Sequence, residues 1–436
     1  MSCSVASRLS VSSLINSSNM VKLTIITSLT AAIAGLATAV PHKSAAAWPN
    51  GPFVTSGRYI HDASGTNVTY AGVNWPGAAD VMIPEGLQYQ SIATIVGKIK
   101  SLGMNAIRLT YAIEMIDQIY SNGGKDIPIS TALTKALGST NGPKVLSQIL
   151  AKNPDFSAST TRLQVFDAVA AKCAKQQIYV HLDNHISKGM WCCSTGDGNS
   201  WWGDTYFSVA NWTRGLSYMA DHGKSWPNLM SMSLRNEPRE PTSNSALDKS
   251  SYNWQSWYTY VRQGASAIHG SNPSVLIFLS GLNFDTTLSP VVQNTTLTPG
   301  TGHFSLSDFP GYSDKLVLEL HNYENSATSC SSLQSNLNNN GFSALGKGTF
   351  PVMLTEFGFQ MDASTWKGVY ASCLASFLPK NKAGWFLWVL SGSYYIRSGT
   401  QNYDEGWGLL TKDWSAWRSP SYVDGQLKGM ARDTLS

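Results

Sequence analysis

Eight short runs of β-branched, aliphatic and aromatic residues recur between residues 67 and 390, with amphipathic helical stretches filling the intervals. The runs are Asn67–Trp75, Asn105–Tyr111, Ile178–His185, Leu229–Asn236, Val275–Ser280, Leu316–Tyr323, Val352–Glu356 and Trp385–Leu390. Several are almost continuously apolar, as strands covered on both faces must be. Among the helical stretches, Ser91–Leu102 sets Ile92, Ile95, Val96 and Ile99 on one face, and Arg162–Gln176 and Tyr252–Ile268 show the same kind of pattern. Strands alternating with helices predict a parallel sheet, and eight such units predict closure. The expected fold is of the α/β class, a (β/α)₈ TIM barrel in a single domain. Pro49–His61 reads as a hairpin that plugs the bottom of that barrel.

The bulk properties fit such a barrel. The chain has 436 residues, room for one barrel with decorated loops, and 42% of them are hydrophobic. Charged residues make up only 13%, against ~25% for an average soluble protein. Residues 1–47 are expected to be a secretory leader that is removed: Leu23–Ala39 is apolar, Lys22 precedes it, and Ala37-Thr38-Ala39 and Ala45-Ala46-Ala47 are two candidate cleavage sites. Met20 makes a better start for this leader than Met1. The segment carries Arg8, Lys22 and Lys43 and no acid, so its removal takes the net charge from +4 to +1. The remaining chain, residues 48–436, is expected to be one domain, extracellular and monomeric, with no basic surface for nucleic acid and no span for a membrane. Asn67, Asn211 and Asn294 head glycosylation acceptor triplets. Of the six cysteines, Cys3 leaves with the leader. Cys330 and Cys373 are expected to bridge the helices on either side of one strand, and one of the adjacent pair Cys192-Cys193 to reach back to Cys173.

A parallel barrel assembles its chemistry at the C-terminal ends of its strands. Here those ends read Asn74-Trp75, Arg108, Asp183-Asn184-His185, Asn236-Glu237, His321-Asn322-Tyr323, Glu356 and Trp388. Polar and aromatic residues thus gather at one end of strands whose bodies are apolar. Glu237 ends the fourth run, before Pro238, and Glu356 ends the seventh, before Phe357-Gly358. Strands four and seven face each other across a barrel mouth. A bond held between two such carboxyl groups can be protonated from one side and attacked from the other, provided one group is protonated and the other ionised. Two unrelated ion-pair glutamates are the bland alternative, and their shared position at strand ends argues against it.

The ordered set Ala71-Gly72-Val73-Asn74-Trp75, Asn105-Ala106-Ile107-Arg108-Leu109, Leu182-Asp183-Asn184-His185, Asn236-Glu237-Pro238, His321-Asn322-Tyr323, Thr355-Glu356-Phe357-Gly358 and Trp385–Trp388 resembles glycoside hydrolase family 5, the cellulase family. Asp404–Leu410 is also similar to fungal members. The resemblance covers almost all of residues 48–436. It implies a retaining β-glycosidase that needs no metal and no other cofactor, with an oligo- or polysaccharide as substrate and an endo-acting β-1,4-glucanase as the first expectation. It further implies that Glu237 is the general acid/base and Glu356 the nucleophile. Arg108 would keep Glu356 ionised, Asn236 would bond the sugar 2-hydroxyl, His185 and His321 would line the glycone subsite, Tyr323 would donate to Glu356, and Trp388 would form a sugar platform. Mannan, β-1,3-glucan or a disaccharide glycoside would suit the same machinery, and an inactive carbohydrate-binding protein is the reading outside catalysis.

Other features stay open at this level. Strand alternation puts His181, Asp183 and His185 on one face, which is also the pattern of a metal triad. That role would leave the two glutamates unexplained, so His181 is expected deeper in the barrel with only His185 reaching the sugar. Trp191, Trp201 and Trp202 lie in the longest polar loop and suit either extra sugar subsites or packing around the cysteine pair. Asn74 and Trp75 are balanced between sugar contact and packing. Trp254 and Trp257 fall on a helical pattern and are expected in the core.

Overall fold

The computed structural model describes residues 48–436; the expected leader, with Cys3, lies outside the described residues. Eight parallel strands close into a barrel: Ala71–Trp75 (β1), Ala106–Ala112 (β2), Tyr179–Ile186 (β3), Leu229–Ser233 (β4), Leu276–Ser280 (β5), Leu316–Asn322 (β6), Val352–Phe357 (β7) and Gly384–Leu387 (β8). They pair in chain order and β8 closes on β1, with Trp385 opposite Ala71. The expected (β/α)₈ barrel is therefore the observed one.

Local chemistry explains the helix starts. Ser91 caps Ile92–Ser101 by accepting from the amide of Thr94, and Ile92, Ile95, Val96 and Ile99 form its buried face. Thr161 and Gln164 make a reciprocal capping box at the head of Arg162–Lys175. The helix Trp254–Ser271 starts behind Asn253, whose side chain accepts from Ser256. Trp257 is fully buried there, whereas Trp254 is only half-buried and packs edge-on against it.

The first, fourth and eighth expected strands differ most in their bounds, the eighth ending at Leu387 rather than Leu390. Asn67–Trp75 is two pieces: Asn67–Val68 belongs to a separate small sheet, and Ala71 starts the barrel. The Asn105 side chain sits at the break, accepting from the Ala71 amide and donating to the Thr69 carbonyl. The fourth run ends as a strand at Ser233, and Asn236 stays tied to β3 through a 2.9 Å bond from its amide to the Asn184 carbonyl.

Val54–Ser56 and Tyr59–His61 pair antiparallel, with Asn67–Val68 as the third strand. Phe53, Ile60 and Tyr70 pack with Ala106, Tyr179, Met230, Leu276, Val317 and Met353, which stand at the entering ends of the barrel strands. This is the expected plug.

Alternation along β3 builds a column from that plug to the mouth. Tyr179 packs in the plug, His181 lies above it between the Ser231 and Ser233 hydroxyls at 2.8 and 2.7 Å, Asp183 meets Arg108 at 3.0 Å, and His185 reaches the rim. Val180 and Leu182, between them, belong to the apolar layer under the helices. Among the described residues, no helix is long and apolar enough to cross a membrane.

The cysteines depart from expectation in part. Cys330 and Cys373 are bonded and join the helices Cys330–Leu337 and Val369–Lys380 across β7, as expected. Cys192 and Cys193, however, are bonded to each other, and Cys173 is a buried free thiol. Cys173 lies on the core face of Arg162–Lys175, where burial pushes its pKa above the usual thiol range. The pairing of Cys173 with one of the adjacent cysteines is thereby overturned.

Candidate active site

Glu356 ends β7 with its carboxylate almost fully enclosed. Oε1 accepts from Arg108 Nη1 at 2.6 Å, and Oε2 accepts from the Tyr323 hydroxyl at 2.9 Å. Arg108, on β2, is fully buried and spreads its fork over the site: Nη1 also reaches Asn74 Oδ1 at 2.8 Å, and Nη2 reaches Asn236 Oδ1 at 2.8 Å and Asp183 Oδ1 at 3.0 Å. Burial would lower its pKa, but Asp183, Glu356 and Glu319 outweigh that and raise it.

Glu237 is held differently. Its backbone has φ +48°, the left-handed region that a residue with a Cβ rarely occupies. Arg239 donates to its carbonyl at 2.9 Å and pairs with Asp197 at 2.6 Å, fixing the turn. The side chain meets His321 Nδ1 at 2.9 Å and, among the described residues, forms no ion pair with an Arg or Lys. Burial raises its pKa against the pull of Arg239, His185 and Arg108. The two glutamates thus occupy the contrasting environments that separate an acid from a nucleophile.

One oxygen of each glutamate and a nitrogen of His321 all lie within 4.8 Å of one another. His321 Nδ1 is 2.9 Å from Glu237 and 3.7 Å from Glu356, while Nε2 is 3.6 Å from Asp285. Burial holds His321 at a pKa of about 3 despite Glu356. Its Nδ1 is hydrogen-bonded to Glu237, while Glu356 stands beyond hydrogen-bonding distance.

Above them lies a cleft of about 310 Å³ lined by His185, Asn236, Glu237, Tyr323, Glu356 and Trp388, together with Trp191, Cys192, Cys193, Arg397, Glu405 and Trp407. Six of the eight expected site residues therefore stand on its wall. Arg108 and His321 do not: Arg108 lies beneath, bonded to Glu356, and His321 meets Glu237 while lining an adjoining cleft with Asn322 and Tyr323. Trp388 stacks on His185 with ring centroids 5.6 Å apart and planes 3° from parallel.

The open alternatives resolve on contacts. His181 has both ring nitrogens engaged by serine hydroxyls, and burial, then Arg108, lower its pKa to about 3. Asp183 is taken by Arg108 and by His185 Nδ1 at 2.7 Å. Burial would raise the Asp183 pKa, yet Arg108 and His185 hold it at about 2. Both His181 nitrogens and both Asp183 oxygens are thus engaged, which speaks against the metal-triad alternative. Trp201 and Trp202 are buried and pack against each other, while Trp191 reaches the cleft edge-on to Trp388. Asn74 serves Arg108, and Trp75 is buried with its ring nitrogen on the Glu85 carbonyl at 3.0 Å, so neither faces the cleft.

Arg397 went unseen in the sequence, and Glu405 entered only as part of the Asp404–Leu410 segment. They come from a segment after β8 in which Ser393–Arg397 pairs with Thr400–Asp404 across Ser398 and Gly399, both at positive φ. Arg397 lies 3.7 Å over the Trp191 ring and pairs with Glu405 at 2.5 Å. A Ser-Gly pair between alternating aromatic and polar residues was the available signal. Trp407, 5.8 Å from the Tyr323 ring, lies within the Asp404–Leu410 segment already noted.

A family model described as Cellulase (glycosyl hydrolase family 5) matches residues 61–393. A glycosyl hydrolase 5 family protein of Chamaecyparis obtusa is 33% identical over 391 residues, covering 85% of this chain but only 65% of that relative's length. An endoglucanase of Paenibacillus polymyxa is 23% identical over 397 residues, 87% of each protein. The catalytic domain of the major endoglucanase from Xanthomonas campestris pv. campestris superposes with a TM-score of 0.63 at 20% identity, covering 88% of this chain and 99% of that one. A cellotetraose complex of an endocellulase from Pyrococcus horikoshii gives 0.65 at 19% identity, over 88% and 98%. At these identities the superpositions speak for the fold alone.

Proposed function

The chain belongs to the cellulase family, glycosyl hydrolase family 5, and from that premise we propose that it is a secreted retaining β-glycosidase, with endo-β-1,4-glucan as its substrate. One observation carries the mechanism: a Glu237 oxygen and a Glu356 oxygen lie within 4.8 Å of each other in unlike surroundings. Retaining glycosidases set their carboxyl groups about 5–5.5 Å apart, whereas inverting enzymes leave about 6.5–9.5 Å for a water.

In the first step Glu237 gives its proton to the glycosidic oxygen as the bond from that oxygen to the anomeric carbon breaks. A Glu356 oxygen takes over the anomeric carbon, forming a glycosyl ester. In the second step Glu237, now a carboxylate, takes a proton from water; the water oxygen bonds to the anomeric carbon and Glu356 leaves. Arg108 and Tyr323 stabilise Glu356 as the anion it must be before the first step and after the second. Asn236, fixed through Oδ1 by Arg108, presents its amide to the sugar 2-hydroxyl. Trp388 offers an apolar face to the pyranose ring.

The glucan assignment rests on the endoglucanases among the relatives, and secretion rests on the leader-like residues 1–47. The test is hydrolysis of soluble β-glucan, mannan and aryl β-glycosides, with the first-formed anomer followed by NMR. Release of β-anomer from a β-glucan supports the reading. Release of α-anomer contradicts retention, and cleavage of mannan alone contradicts the glucan assignment.

A further inference from the structure

The Cys192–Cys193 disulfide lies in the cleft wall and has no part in the chemistry above. Its value to folding is small on general grounds. A disulfide stabilises largely by closing a loop in the unfolded chain, and the effect grows with loop length. Cys330–Cys373 spans 43 positions, whereas Cys192–Cys193 joins neighbours. A bond that staples nothing distant, set beside reacting groups, calls for another role.

Its position supplies one. Both sulfurs and a Glu237 oxygen lie within 4.8 Å of one another. Asn236 Nδ2 is 3.5 Å from Cys193 Sγ and 3.8 Å from Cys192 Sγ. The disulfide therefore flanks the residue that protonates the leaving oxygen. Trp191, adjacent in sequence, continues the same wall toward Trp388. Disulfide sulfur is apolar and polarisable, a soft surface suited to the C–H face of a sugar.

We infer that the Cys192–Cys193 disulfide is a substrate-contacting wall at the scissile bond, packing against the sugar that leaves with the glycosidic oxygen and determining specificity on that side. This rests on the retaining-glycosidase reading.

The test compares cellotetraose, which places a sugar against this wall, with dinitrophenyl β-cellobioside, whose leaving group is not a sugar and needs no protonation. The Cys192→Ser/Cys193→Ser double variant is expected to lose about tenfold in kcat/KM on cellotetraose, the scale of one good sulfur contact, and less than about twofold on the aryl substrate. Wild type treated with a phosphine reductant should show the same split, and Cys330→Ser/Cys373→Ser should keep the wild-type ratio between substrates. If the serine variant fails to fold, the reduced wild type decides by the same ratio. Equal losses on both substrates, or no loss on either, overturn the inference. Wild type silent on both substrates sinks the β-1,4-glucanase reading itself and the inference with it, so the two failures are distinguishable.

Discussion

Arg108 and Glu356 meet at 2.6 Å with both side chains buried, and the same guanidinium holds Asn236 and Asp183. One cation thus pairs with one glutamate and holds the residue preceding the other. Removing it leaves Asp183 and Glu356 as close, uncompensated anions. Arg108→Met is expected to lower kcat by at least about a hundredfold and to cost about 3–5 kcal/mol of stability. Paired kinetics and thermal melts check this. An unchanged melting temperature would contradict the account of the network.

Glu237 must be protonated to act, and burial raises its pKa above the usual carboxyl range. A raised pKa keeps the acid protonated to higher pH, so kcat/KM should fall on the alkaline side at a pH above that range. On dinitrophenyl glycosides, whose leaving group needs no protonation, that limb should be absent from wild-type kcat/KM, and Glu237→Gln should lose little of the glycosylation rate. A limb that persists unchanged on these glycosides belongs to another group.

Glu319 lies within the barrel beneath the site, its carboxylate bonded to the Ser233 and Ser280 hydroxyls. Burial lifts its pKa to about 7 against the pull of Arg108. The folded state then binds this proton more tightly than the unfolded state does. The stabilisation is fully present below the unfolded-state carboxyl pKa and is lost as pH rises through about 7. Glu319→Gln should therefore shrink the drop in melting temperature between weakly acid and weakly alkaline buffer. The same drop in both proteins would refute the assignment.

Gly358 follows Glu356 and Phe357 at the end of β7, and a Cβ there would collide with the backbone carbonyl of Trp388. Gly358→Ala must displace either the nucleophile strand or the tryptophan. A stability loss of about 1–3 kcal/mol is expected from the overpacking, with at least a tenfold drop in kcat/KM if the platform moves. Wild-type kinetics in the variant would show that neither element shifted.

The parts of the site that were legible in the sequence are those fixed by strand geometry. Glu237 and Glu356 were found because a parallel barrel delivers strand ends to one mouth, and His181 was placed below His185 by alternation alone. The tryptophans show the limit. Trp75 and Trp388 both follow apolar strand bodies, yet Trp75 is covered by the segment carrying Glu85 and Trp388 faces the cleft. Loop packing decides that difference, and no periodicity records it. Disulfide connectivity was hidden for a similar reason: Cys173 lies on the buried face of a helix, out of reach of a loop above the mouth. His321 was found by its motif, but its place against Glu237, in an adjoining cleft rather than on the wall of the main one, depended on side-chain direction at the end of β6.

The central claim is that Glu356 forms the covalent intermediate, and its most direct test is Glu356→Ala with azide added. The account predicts that hydrolysis of an activated aryl β-glycoside collapses in the variant and is partly restored by azide, with an α-glycosyl azide as the product. Undiminished hydrolysis in Glu356→Ala, or rescue that yields the β-azide, would contradict it.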